Sequence, residues 1–175
     1  MTRMSTPDDD YEHLPRDERA RLLFITTESG PRPLTSAALR ERVRAWPVTS
    51  TTPPAAADLL RTARAMTTLG TVHYDLFTAA VAWSLLAVEA AFNVLYPTEA
   101  KRSPSLGEHV KRARADGLLD ERWAEQLKAA TQLRDGFAHP RAETRMLPAM
   151  TLPLVEASHQ VVAALFPEAP ASPEL

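Results

Sequence analysis

The chain has 175 residues, 45% of them hydrophobic and 24% charged, which suits one globular domain with a sizeable core. Its formal net charge of −2 excludes a global basic field for nucleic acid, so any such contact has to be local. The absence of cysteine excludes disulfides and thiolate metal sites while leaving the compartment open.

Residues 1–10 carry Asp8, Asp9 and Asp10 and no apolar run. They are expected to be disordered and do not read as a signal peptide, so the default location is cytoplasmic. Pro15 to Thr27 predicts a first helix, with Pro15 near its first turn and Leu22, Leu23 and Ile25 as its apolar side. Gly30, Pro31 and Pro33 then break the chain. Thr35 or Ser36 can cap a short helix through Arg44, with Leu39, Val43 and Trp46 at helical spacing, and Pro47 ends it. The Thr- and Pro-rich stretch Val48 to Pro54 reads as a linker. It divides an N-terminal extension with short helices, 1–54, from a main domain, 55–166.

The main domain opens with a helix over Ala55 to Leu69, whose apolar positions include Leu59, Leu60, Ala63 and Met66. Gly70 interrupts it as a cap or a tight turn. His73 to Tyr96 is the most hydrophobic segment and leaves hardly any polar face. A helix apolar all round is a central core helix or a membrane span. Asp75, Ser84, Glu89 and Asn93 interrupt it, and a charge at mid-span costs about 2.5–3.5 kcal/mol on insertion, so a central bundle helix is the expectation. Pro97 and Pro104 bracket a polar loop. Ser105 and Glu108 have capping-box spacing for a helix to Asp116, which Gly117 stops. Asp120 can cap the next helix, carrying Trp123 to Phe137. A loop containing Pro148 leads to a last helix, roughly Leu154 to Phe166, and residues 167–175 form a Pro-rich tail expected to be disordered. No strand is predicted. The fold class is all-α, a bundle of four or five helices with an N-terminal helical extension.

The candidate chemical groups are few. His13, His73, His109 and His159 are scattered, with no paired His-x-x-x-His. Glu156 and His159 stand at Glu-x-x-His spacing, but a di-iron bundle needs two such motifs. With five glycines, none at P-loop spacing, the chain offers no phosphate loop. No cofactor and no metal is implied. The stretch Leu133 to Pro140, Leu-Arg-Asp-Gly-Phe-Ala-His-Pro, stands apart. Trp123, Leu127, Ala130, Arg134 and Phe137 share one helical stripe, so Arg134 falls on the face that should be buried. A buried guanidinium needs an anionic partner. Glu89, the acid in the middle of the most apolar helix, is the obvious mate. The pair is either an internal ion pair that orders the bundle, or an arrangement in which Glu89 orients Arg134 while donors stay available for a phosphate. Pro140 disfavours helical geometry at His139 and releases the side chain that titrates near neutrality at the helix end. Arg102, Lys111, Arg112 and Arg114 form a local basic patch, either a solvated face or a guide for RNA.

Arg134-Asp135-Gly136-Phe137-Ala138-His139 at a helix end resembles the Arg-x-x-x-x-His signature of the HEPN superfamily. The order of the surrounding text is similar too: an Ala-rich helix holding Glu89, a polar loop, then Leu106 to Leu119, then the motif helix. The resemblance covers roughly Ala55 to Phe166, and no match is evident for the N-terminal part. It implies a helical bundle that forms a homodimer and brings two motifs into one cleft. It also implies a metal-independent endoribonuclease, of the kind found among toxins and antiphage effectors, with an antitoxin or defence-system protein as a possible partner. On that reading His139 serves as general base or acid, its ordinary pKa of about 6.5 suiting both roles. Arg134 holds the scissile phosphate, and Asp135 orients the histidine or the backbone. The products would be a 2′,3′-cyclic phosphate and a 5′-hydroxyl. The toxin subclass controlled by nucleotidyl transfer to a tyrosine after the histidine has no counterpart here, because Pro140, Arg141 and Ala142 follow. Many proteins of this kind are instead non-catalytic dimerisation or interaction modules, which is the rival expectation.

Overall fold

A computed structural model describes residues 14–27, 29–98, 104–138 and 146–168, with the side chains of 27, 129 and 131–138 outside that description. In chain order the elements are α1 (Glu18–Arg21), β1 (Phe24–Thr27), β2 (Gly30–Pro33), α2 (Ser36–Arg44), α3 (Pro54–Leu69), α4 (Leu76–Leu95), α5 (Leu106–Ala115), α6 (Glu121–Ala138) and α7 (Pro148–Leu165). The fold is an all-α bundle with one small hairpin.

Helix α4 is the axis. Phe77, Ala80, Val81, Leu85, Val88 and Phe92 are buried along it, chiefly against α3 and α7, with α5 and α6 contributing further contacts. The helix is long and apolar enough to cross a membrane, yet this buried face forms the centre of the bundle. Its remaining side exposes Trp83, Leu86 and Val94. Within the core, Ser158 Oγ of α7 donates to Ser84 Oγ of α4 at 3.1 Å. The caps read from the sequence are present. Ser105 and Glu108 form the capping box of α5, and Gly117 follows it at φ +73°, a conformation that favours glycine. Asp120 Oδ1 accepts from the Trp123 amide at 2.8 Å and starts α6.

Three segments differ from expectation. The helix expected over Pro15 to Thr27 is confined to Glu18–Arg21, and Phe24–Thr27 pairs antiparallel with Gly30–Pro33. The aromatic and β-branched run Phe-Ile-Thr-Thr prefers extended backbone. Its apolar residues also alternate, Leu23 and Ile25 packing on the core while Phe24 is 62% exposed, which is strand rather than helix periodicity. Gly30, at φ +103°, supplies a conformation that few other residues adopt in the turn. The last helix starts at Pro148, not Leu154, and runs through Pro153. Proline is well placed at a first helical position. The donor that Pro153 lacks leaves the Ala149 carbonyl without its helical partner, and both residues lie on the exposed side, where water can supply it.

Val48 to Pro54, expected as a linker, is a packed turn. Thr52 is buried, and the Thr51 hydroxyl donates to the Phe166 and Pro167 carbonyls at 2.9 and 2.8 Å. The Ser50 amide reaches Glu168 at 3.0 Å. Upstream, Asp17 caps α1 by accepting from the Arg19 amide at 2.9 Å and also accepts from the Tyr74 amide at 3.0 Å. Its carboxyl is held well below the usual carboxylate range, first by the Arg19 side chain and then by the Tyr74 amide. Leu34, Leu39, Val43 and Trp46 join the same core cluster as Leu60, Phe77 and Val162. The described part of the N-terminal extension is therefore built into the bundle.

Gly70 explains how the α3–α4 turn closes. A Cβ there would stand 2.6 Å from the ring of Phe77, which is fully buried. Gly70→Ala should therefore destabilise the protein by about 1–3 kcal/mol, the usual cost of overpacking, read as a lowered denaturation midpoint with an unchanged slope. Wild-type stability in this variant would refute the close approach.

Candidate functional site

The motif helix α6 packs on α5, α4 and α7. Leu127 and Ala130 are 3% and 2% exposed and Trp123 is half-buried against the core, so the stripe expected to face inward does so over its first three positions. Helical backbone continues to Ala138. Arg134 and Asp135 thus lie in the last turns of α6, Arg134 one helical turn beyond Ala130; their side chains lie outside the description. His139, Pro140 and Arg102 fall outside the described residues. Glu89 sits half-buried on α4, a helix in contact with α6.

The described groups nearest in character to a catalytic cluster lie where α4 meets α5. His109 is 1% exposed and stacks on Phe92, with ring centroids 5.5 Å apart and planes within 8°. Tyr96 completes the group, its ring 6.1 Å from the imidazole and 6.3 Å from Phe92 in nearly parallel planes. His109 Nε2 donates to Asn93 Oδ1 at 3.2 Å. Burial pushes the imidazole pKa down, and the Glu89 carboxylate opposes that shift. The Tyr96 hydroxyl donates to Asp116 at 2.6 Å, and burial followed by that carboxylate pushes the phenol up to about 12. A histidine this enclosed, with its donor committed, is placed to hold α5 on α4 rather than to exchange protons with a substrate.

The expected basic patch divides. Arg112 lies over the Tyr96 ring at 4.2 Å, a cation–π contact that turns it toward the end of α4. Lys111 and Arg114, one turn apart, instead face α6 and line a groove there with Lys128. Arg114 pairs with Glu121. Sequence reading did not single out Lys128, because the α5–α6 pairing that brings it beside Lys111 is not visible in either helix alone.

A second group that sequence reading passed over joins α2, α3 and α7. His159 is fully buried. Its Nδ1 donates to the Val155 carbonyl at 2.9 Å, and its Nε2 accepts from Arg64 Nε at 3.1 Å. The neutral tautomer is the one that satisfies both contacts. Arg64 also donates to the Trp46 carbonyl, and the Trp46 ring lies 5.1 Å from the imidazole. The Glu-x-x-His pair does not converge, since Glu156 accepts from Arg42 on the surface at 3.2 Å. Among the described residues no group of acids and histidines could hold a metal ion.

Set against known proteins, the chain matches no family model, and no curated protein and no solved structure is similar to it.

Burial pushes the His159 pKa down to about 4, and the Arg64 charge acts in the same direction. The unfolded chain, titrating near 6.5, therefore binds more protons through that window, and stability falls as pH drops from about 6.5 toward 4. His159 should account for about 3 kcal/mol of stability lost between pH 7 and pH 4. In His159→Gln that part of the slope should vanish, with lower stability at pH 7. Parallel curves for the two proteins in urea titrations across this range would refute a neutral buried imidazole.

Proposed function

We propose that the chain is a metal-independent endoribonuclease of HEPN type. It would act as a cytoplasmic homodimer in a toxin or antiphage-defence setting, opposed or recruited by a partner protein. One observation carries the reading: Arg134 and His139 stand at Arg-x-x-x-x-His spacing in the sequence, and Arg134 lies in the last turns of a helix whose earlier turns, at Leu127 and Ala130, are buried in an all-α bundle. Glu89 on the contacting helix α4 supports it as the group that orients Arg134.

In this mechanism His139 takes the proton of a ribose 2′-hydroxyl, or delivers one to the departing 5′-oxygen. The 2′-oxygen attacks phosphorus, the P–O5′ bond breaks, and a 2′,3′-cyclic phosphate and a 5′-hydroxyl result. Arg134 stabilises the charge that builds on the phosphoryl oxygens. Asp135 positions the histidine, and no metal is required. A second copy would place another motif opposite. The engagement of Arg112 by Tyr96 and of Arg114 by Glu121 favours the other reading, a non-catalytic helical interaction module, because it leaves less positive charge for RNA.

The two readings separate on purified protein incubated with total RNA in EDTA. Cleavage to 2′,3′-cyclic phosphate ends should occur, and His139→Ala and Arg134→Ala should each lower the rate at least a hundredfold, as loss of an acid–base group does. Intact RNA with the wild-type protein, or equal cleavage by both variants, overturns the nuclease.

A further inference from the structure

The groove between α5 and α6 has properties that the internal needs of the fold do not explain. Its floor is aliphatic, formed by Val110 and Ala124, each 5% exposed, together with Gly107. Its rim carries three cations, Lys111, Arg114 and Lys128, and one acid, Glu125, and the space it encloses is about 200 Å³. The neighbouring acids are largely committed elsewhere. Glu108 closes the capping box with Ser105, Asp116 accepts from Tyr96, and Asp120 caps α6. Glu121 pairs with Arg114, while Glu125 meets Lys128 only at 3.6 Å. Among the described residues Lys111 has no acidic partner.

Gly107 is the second observation. It lies in the first turn of α5 with an ordinary negative φ, and a Cβ built on it would meet nothing within 4 Å. Among the described residues neither backbone geometry nor crowding calls for glycine there, and alanine is the better helix residue. What glycine does is keep the groove open at its floor.

We propose that this groove is a docking site for an acidic peptide segment. One aliphatic side chain of the segment would enter over Gly107, Val110 and Ala124, and flanking carboxylates would meet Lys111 and Lys128. The charge of the rim selects an anionic partner. One feature favours a peptide over RNA: among the described residues no aromatic ring lines the groove, so a base would find no stacking platform. An apolar anchor laid between two helices and held by rim charges is a common mode of peptide recognition. The site does not depend on the nuclease reading.

The test is a selection of phage-displayed 12-residue peptides on the immobilised full chain, followed by anisotropy titration of the enriched peptides. Enriched sequences should carry an aliphatic residue flanked by Asp or Glu. Their binding should fall at least tenfold in Lys111→Glu and in Gly107→Leu, although Gly107→Leu melts at the wild-type temperature or above. Lys111→Glu should regain binding when a flanking acid of the peptide is changed to lysine. Failure to enrich acid-flanked aliphatic positions, or equal binding by Gly107→Leu, overturns the proposal. Displacement of bound peptide by a single-stranded RNA 12-mer that itself loses affinity in both variants would make the groove a nucleic-acid site and also overturn it.

Discussion

A twenty-residue helix with one charged side chain, Glu89, dictates most of this architecture. Helix α4 cannot face water on all sides, because each fully buried Phe, Leu or Val is worth roughly 1.5–3 kcal/mol relative to exposure. Its neighbours are arranged to cover it. Helix α3 runs against it at close range because the connecting turn lets the Phe77 ring lie directly over Gly70. Helix α7 covers a further part, and its small polar Ser158 meets Ser84 rather than leaving a hydroxyl alone in the core. An unpaired buried hydroxyl would cost on the order of 1–3 kcal/mol, so this contact also favours one register between the two helices over a slipped one.

The polar residues inside the bundle share that logic. His109 spends its donor on Asn93 and packs against both Phe92 and Tyr96. His159 spends both ring nitrogens, on Val155 and Arg64. Each joins helices through a neutral imidazole, which avoids the desolvation cost of a cation. Arg64, half-buried and held by a carbonyl and an imidazole, stays charged at neutral pH although burial lowers its pKa. The arginine with a different assignment is Arg134, on a helix turn just past the buried stretch of α6, where the proposed chemistry is placed.

Helices with strong periodicity and clear stop signals were legible from residues alone. Ser105 with Glu108, Gly117 and Asp120 marked the ends of α5 and the start of α6 because capping is a local interaction within four residues. Leu127 and Ala130 announced their burial through spacing. The hairpin at 24–33 was missed because Leu22, Leu23 and Ile25 satisfy a helical count as easily as a strand count over so short a run. Pro148 and Pro153 concealed the first turns of α7, since proline is a stop signal except where its missing donor faces water or a helix start. The Thr-rich turn looked like a linker because its partners, Phe166 to Glu168, lie far along the chain. For the same reason Lys128 and the Arg64–His159 contact were invisible: each depends on pairing between separate helices. Of the candidate site, the spacing of Arg134 and His139 and the place of Glu89 in the middle of the most apolar helix could be read, while the groove beside Lys111 could not.

The turn at 49–52 has a consequence for the order in which the molecule assembles. Thr49 and Thr51 bind the Phe166 carbonyl across sequence separations of 117 and 115 residues, and Trp46 packs on His159 from the same far end. Contacts of such long range form late, because closing a long loop costs entropy before the contact returns anything. On the ribosome, α2 and the turn that follows it emerge well before the helix they rest on. Until α7 is complete, Trp46 has no imidazole to cover it and the α3–α4 pair has one flank open. The turn at 49–52 and the end of α7 form a clasp between distant parts of the chain, so a chain cut short before Phe166 would keep its local helices and lose the clasp.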